Sequence, residues 1–158
     1  MRGTLSTISP DIFACTETWL QPQICDSSIN ASSYDLHRCD RPHERIGGGV
    51  AVYVSTKYAS SSWHPKYNLD YFDCVWIYIK SLNLVIICAY VPHLTADQYC
   101  NISNCITANY DQFVIHFQKE PSIILCGDFN VFNCNTIASD LDIKNIVSLP
   151  TRVNSILD

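Results

Sequence analysis

Cys74-Val-Trp-Ile-Tyr-Ile79 and Leu84-Val-Ile-Ile-Cys-Ala-Tyr90, joined by Lys80-Ser-Leu-Asn83, decide the architecture. Each run has the length of a strand and is rich in β-branched and aromatic residues. Neither alternates cleanly between polar and apolar, so both faces of each strand need a cover. A short connection between two such runs predicts an antiparallel hairpin. A hairpin buried on both faces is the middle of a layered molecule.

The neighbouring segments supply candidates for the other layers. Downstream, Tyr99, Ile102, Ile106, Tyr110, Phe113 and Phe117 recur at spacings of three and four, the signature of an amphipathic helix. Thr95 followed by Gln98 predicts a capping box at its start. Pro121 closes that region, and Ser122 to Cys126 reads as another fully apolar strand, with Gly127-Asp-Phe-Asn130 as its loop. A short helix is expected over 136–142, and one or two strand pieces between Ile146 and Asp158. Upstream, Asp11 to Thr16 and Tyr34 to Cys39 are strand candidates, and Gly47-Gly-Gly49 leads into the β-forming run Val50 to Val54. Many buried strands with few helices between them indicate an α/β sandwich rather than a helical bundle or a doubly wound sheet.

The 158 residues suit one domain, with 47% hydrophobic and 16% charged residues marking a globular chain. The longest apolar run is too short to span a bilayer. Met1 to Pro10 lacks the apolar stretch of a signal peptide, so an intracellular location is expected. The nine cysteines show no Cys-x-x-Cys pair, which disfavours zinc. Cys88 and Cys126 lie inside apolar runs and read as reduced, buried, small hydrophobes. The net charge of −5 does not by itself suggest a nucleic-acid binder. Acidic residues could instead gather around a metal.

Three strand ends carry polar groups. Asp128 and Asn130 alternate around Phe129, so both can face one way while Phe129 anchors the loop. A carboxylate beside an amide suits phosphodiester chemistry, since one can orient water or a cation and the other can donate to a phosphate oxygen. Gly, Asp and Asn together equally describe a plain turn. Glu17, in Thr16-Glu-Thr-Trp-Leu20, is a candidate ligand for a hard cation, for which one or two carboxylates suffice because magnesium keeps several waters. A glutamate in such a loop, taken singly, is more often solvated. Tyr90, before Val91-Pro-His93, could hydrogen-bond a phosphate oxygen or simply pack at the rim, and His93 reads as an exposed loop histidine.

The combination resembles a known family. Asp11 to Leu20, Gly47 to Val54, Tyr90-Val-Pro92, Ile124 to Asn130 and Pro150 to Asp158 look like successive motifs of the endonuclease/exonuclease/phosphatase superfamily, from about Asp11 to the last residue. The Thr-Glu-Thr-Trp-Leu and Pro-Thr-Arg…Leu-Asp wording is similar to that of non-LTR (LINE-type) retrotransposon endonucleases. The resemblance implies a four-layer α/β fold, a two-sheet β-sandwich flanked by helices. It also implies a Mg2+-dependent (or Mn2+-dependent) enzyme nicking DNA by metal-assisted water attack, in the nucleus if it serves a retroelement. By position, Glu17 is the metal ligand, Tyr90 contacts the scissile phosphate, Asp128 activates the water, and Asn130 helps hold the phosphate. Asp158 matches a supporting acidic position, and Arg152 could face the nucleic-acid backbone. Gly47 to Gly49 read as serving close backbone approach or a bulge rather than phosphate binding.

Two family pieces lie outside the match, so residues 1–158 are expected to form a single incomplete domain. These are an opening strand with an asparagine and a closing Ser-Asp-His motif whose histidine handles protons. General acid–base groups contribute about 10²–10⁴-fold, so weak or absent turnover is expected. The competing readings are a non-enzymatic retroelement remnant and a small-molecule or lipid phosphoesterase of the same superfamily. No membrane or protein partner is indicated.

Overall fold

The computed structural model describes residues 5, 7–41 and 47–147. Arg152, Asp158 and the strand pieces expected near them lie outside the described residues. Among the described residues, seven strands form two sheets. β1 (Ile12–Thr16), β3 (Val50–Ser55) and β2 (Tyr34–Cys39) form an antiparallel sheet in that spatial order. The second sheet runs β4 (Ser60–Trp63), β5 (Asp73–Ile79), β6 (Leu84–Tyr90) and β7 (Ser122–Asp128). The helices among the described residues are α1 (Asp26–Ile29), α2 (Ala96–Phe117) and α3 (Asn135–Asp140).

The hairpin read from the sequence is β5–β6, antiparallel with Ile77 opposite Ile86. Its turn is a short 3-10 segment, Lys80–Leu82, ended by Asn83 in the left-handed conformation. The absence of alternation has the expected cause. Val75, Ile77, Ile79, Ile86 and Cys88 face Val50, Val52 and Val54 of the first sheet. Trp76, Tyr78, Val85, Ile87 and Ala89 face Ile102, Ile106 and Phe113 of α2. Thus β5 and β6 form the centre of a sheet-on-sheet sandwich covered by helices on the other side. The far face of the first sheet buries Ala51, Tyr53 and Tyr34 against Leu5, which gives the fourth layer.

Helix α2 has the capping box its sequence called for: Gln98 N–H donates to Thr95 Oγ1 at 3.4 Å, and Thr95 N–H donates to Gln98 Oε1 at 3.0 Å. It is the crossover between β6 and β7, which pair in parallel with Tyr90 beside Asp128. Two features of the second sheet go beyond the sequence pattern. The Ser-rich strand β4 went unread, because Ser60-Ser-Ser62 lacks β-forming side chains and is held by pairing with β5. Strand β7 is not covered on both faces: it is the edge of its sheet among the described residues, and Ile124 is 41% exposed. All nine cysteines are free thiols. No helix among the described residues is long and apolar enough to cross a membrane.

Candidate active site

Strand direction gathers the polar groups at one end of the sandwich. β1 and β2 both run antiparallel to β3, so the ends of β1 and β2 lie beside the start of β3. β6 and β7 run together and β5 against them, so the ends of β6 and β7 lie beside the start of β5. Tyr90 is flanked in register by Asp73 on β5 and Asp128 on β7. Tyr90 and Glu17 lie close enough to shift each other's ionisation, which joins this end of the second sheet to that of the first. Glu17, Tyr90 and Asp128, three positions distant in the sequence, therefore share one site.

Glu17 follows β1 in a loop latched to the triglycine turn. Both Glu17 and Trp19 have positive φ, 52° and 54°. Their strained backbone is held by Thr18 N–H on Gly49 O at 3.3 Å and Trp19 N–H on Gly48 O at 3.0 Å. Glu17 Oε2 accepts from Gly48 N–H at 2.5 Å and from the Trp19 indole Nε1–H at 2.8 Å. Partial burial works against its ionisation. The hydrogen bonds from Tyr90, Gly48 and Trp19, with the charge of Arg41, outweigh that and hold the carboxyl below its ordinary value. The same partnership acts oppositely on Tyr90. Desolvation first, then the bond to and charge of Glu17, push the phenol up to about 12, against the opposing pull of Arg41; the charge of Asp128 also raises it. Tyr90 is therefore a neutral phenol at physiological pH, available as a donor beside Glu17.

Two residues that the sequence reading missed hold this half together. Arg41 follows β2 and is 9% exposed; Asp73 opens β5 and is 4% exposed. Arg41 Nε–H donates to Asp73 Oδ2 at 3.0 Å, and Nη2 approaches the same oxygen at 2.9 Å, off the hydrogen-bond line. Gly49 N–H donates to that oxygen at 2.8 Å. The Arg41 guanidinium lies over the Tyr90 ring, 5.0 Å from its centroid. The triglycine turn thus gives one N–H to Glu17 and the next to Asp73. A Cβ on Gly48 would sit 2.2 Å from Arg41 Cζ, so the close-approach reading of these glycines holds, and they also serve as donors. A buried Arg–Asp pair between distant segments leaves no spacing signal in the sequence, although an arginine and an aspartate bordering strong strands are a weak one.

The other half is held by main chain. Val91 N–H donates to Asp128 O at 2.9 Å, and Asn130 Nδ2–H donates to Val91 O at 2.9 Å. Asn130 N–H donates to Asp128 Oδ1 at 3.1 Å. Phe129 is buried with Phe132 in the helix-side core, the anchor its position between two polar residues suggested. Asn130 therefore lies beside Asp128, with one amide hydrogen fastening the β6 and β7 loops to each other. His93 is exposed.

No group of three or more His, Cys, Asp or Glu side chains that could hold a metal gathers among the described residues. Glu17, held ionised, is the carboxylate at this end that could anchor a hard cation bound largely through water.

No protein-family model matches the sequence, and no curated protein matches it. Solved structures do. The chain is similar to an endonuclease/exonuclease/phosphatase family protein from Bacteroides thetaiotaomicron (TM-score 0.62, 16% identity, covering 89% of this chain and 56% of that one). It is similar to an AP endonuclease from Leishmania major (TM-score 0.57, 12% identity, covering 82% and 49%). It is also similar to the human Nocturnin catalytic domain, solved with a bound sulfate anion (TM-score 0.53, 13% identity, covering 87% and 57%). The chain has the fold of the endonuclease/exonuclease/phosphatase proteins and spans about half the length of the structures it matches.

Proposed function

We propose that this chain is part of a magnesium-dependent phosphodiesterase domain that nicks DNA, of the kind carried by non-LTR retrotransposons. One observation carries the reading: Glu17, Tyr90 and Asp128 arrive from the ends of three strands in two sheets and interact at one end of the sandwich. In this reading Glu17 anchors Mg2+ (or Mn2+), which supplies charge neutralisation at the phosphate. Tyr90, a neutral phenol, donates to a phosphate oxygen. Asp128 takes the proton of the attacking water, and Asn130 fixes the loop that presents it. Arg152 and Asp158 enter through the motif resemblance alone, as a backbone contact and a supporting carboxylate. An AP endonuclease among the structural neighbours adds support for a DNA substrate. The retrotransposon assignment rests on the Thr16–Leu20 and Pro150–Asp158 wording, and with it a nuclear location.

Nicking of supercoiled plasmid with magnesium tests the reading. The 158-residue chain is expected to bind DNA and to nick slowly at most. Asp128→Ala is expected to abolish any nicking, and Glu17→Gln to lower it and raise the magnesium concentration it requires. Hydrolysis of a small phosphoester with no affinity for DNA would favour a phosphatase of the same fold. DNA binding with no cleavage under any metal would favour a non-enzymatic remnant.

A further inference from the structure

Trp19 is a large aromatic side chain left 63% exposed, and it stands directly beside the site. Its ring edge is fixed by the indole N–H on Glu17 Oε2. Its backbone is pinned in a left-handed conformation by the bond to Gly48 O. A Cβ on Gly47 would touch the ring at 3.7 Å, so the glycine turn runs close against it. A side chain exposed for no reason would not be tied down at both backbone and ring. The ring is a preset flat surface, joined through one hydrogen bond to the carboxylate that fronts the proposed phosphate site.

The charge of the chain makes such a surface useful. Lys and Arg total 10 against 15 Asp and Glu, so attraction to a phosphate backbone is weak. Affinity for a nucleic acid must then draw on something other than counterion release. Stacking of a base on an aromatic ring is tolerant of sequence and requires no cationic side chain. We infer that Trp19 is a stacking platform for one unpaired nucleobase next to the phosphate that Tyr90 contacts, which makes frayed or single-stranded DNA the preferred substrate. This rests on the phosphodiesterase reading and adds the form of DNA to it.

The test compares binding of the full chain to a short single-stranded oligonucleotide and to the same sugar-phosphate backbone carrying abasic positions, with calcium as the divalent ion to prevent turnover. The intact strand should bind about tenfold more tightly and quench tryptophan fluorescence. Trp19→Ala should erase that difference while the protein melts at the same temperature. Trp19→Phe loses the bond to Glu17 but keeps a ring, and should retain most of the difference. Equal binding of intact and abasic strands by the wild type overturns the stacking platform and leaves the phosphodiesterase reading standing. So does a difference that survives in Trp19→Ala. Failure of the wild type to bind either strand overturns both.

Discussion

The two halves of the site are built by different physics. The Glu17 half is a charge assembly: two carboxylates, one buried guanidinium and two glycine N–H groups in mutual contact. The Asp128 half is a packing assembly, in which β6–β7 pairing, the Val91–Asp128 and Asn130–Val91 bonds and the buried Phe129 leave little for charge to decide. A charge assembly in a partly dry site is strong only while complete, since removing one partner strands the other. A packing assembly tolerates charge changes but not added volume. Each half should therefore fail under the perturbation the other survives.

The sharpest way to break the contrast is Asp73→Ala. It leaves Arg41 buried without its counter-charge and Gly49 N–H without an acceptor, and should cost about 3–5 kcal/mol in urea unfolding. Replacing Arg41 and Asp73 together by methionine and leucine should cost less than the single change, because no charge is stranded. If Asp73→Ala proves as mild as the double replacement, the Glu17 half is not a charge assembly. The converse perturbation is Gly127→Ala. Gly127 has φ of 138°, and a Cβ there would lie 1.8 Å from Ala89 O in the neighbouring strand. The backbone of β6 and β7 must part, with an expected loss of about 3 kcal/mol. Hydrogen exchange should report it at the amides of Cys126 to Asn130 and leave the Glu17 loop protected. An alanine accommodated without loss of β7 protection would show that the Asp128 half is looser than its backbone pairing implies.

The contrast also explains what the sequence disclosed. Glu17, Tyr90 and Asp128 were legible because each follows a strand whose apolar pattern is plain, and a strand end is where a rigid scaffold presents polar groups. The β5–β6 hairpin and α2 were legible because burial on two faces or one stripe writes itself into residue order. Arg41 and Asp73 were not, because their meaning lies in a contact spanning 32 positions that no local pattern encodes. Strand β4 was hidden for a related reason: tertiary pairing overrides the weak propensity of serine. The edge position of β7 is not legible in the sequence, because Ser122 to Cys126 is as apolar as a central strand. Composition reports what a segment tolerates on its faces, while strand order is set by partners elsewhere.

A charge-dependent feature also sits at the outer edge of the two sheets, and it yields the smallest predicted effect. His37 on β2 is buried, with Nδ1 2.8 Å from Ser62 Oγ and Nε2 2.9 Å from Ser60 Oγ, both on β4. Ser60 in turn donates to Asp35 Oδ2 at 3.1 Å. These bonds clip edge strand to edge strand across the sandwich. Desolvation lowers the His37 pKa below its ordinary value of 6.5, against the opposing charge of Asp35. The unfolded chain therefore takes up this proton more readily than the folded one. Stability is unaffected by His37 well above 6.5 and falls as pH drops through that value toward the lower folded pKa. Melting temperature should decline between about pH 7.5 and about pH 5, and His37→Gln, which bridges the same hydroxyls without titrating, should flatten that decline. Glu17 acts lower on the scale: its carboxyl is held below its ordinary 4.5, so its contribution is present above that value and lost as pH falls further. A decline that persists unchanged in His37→Gln above about pH 5 would place the acid sensitivity elsewhere, and the clip between the sheets would then be a matter of hydroxyl bonding rather than of charge.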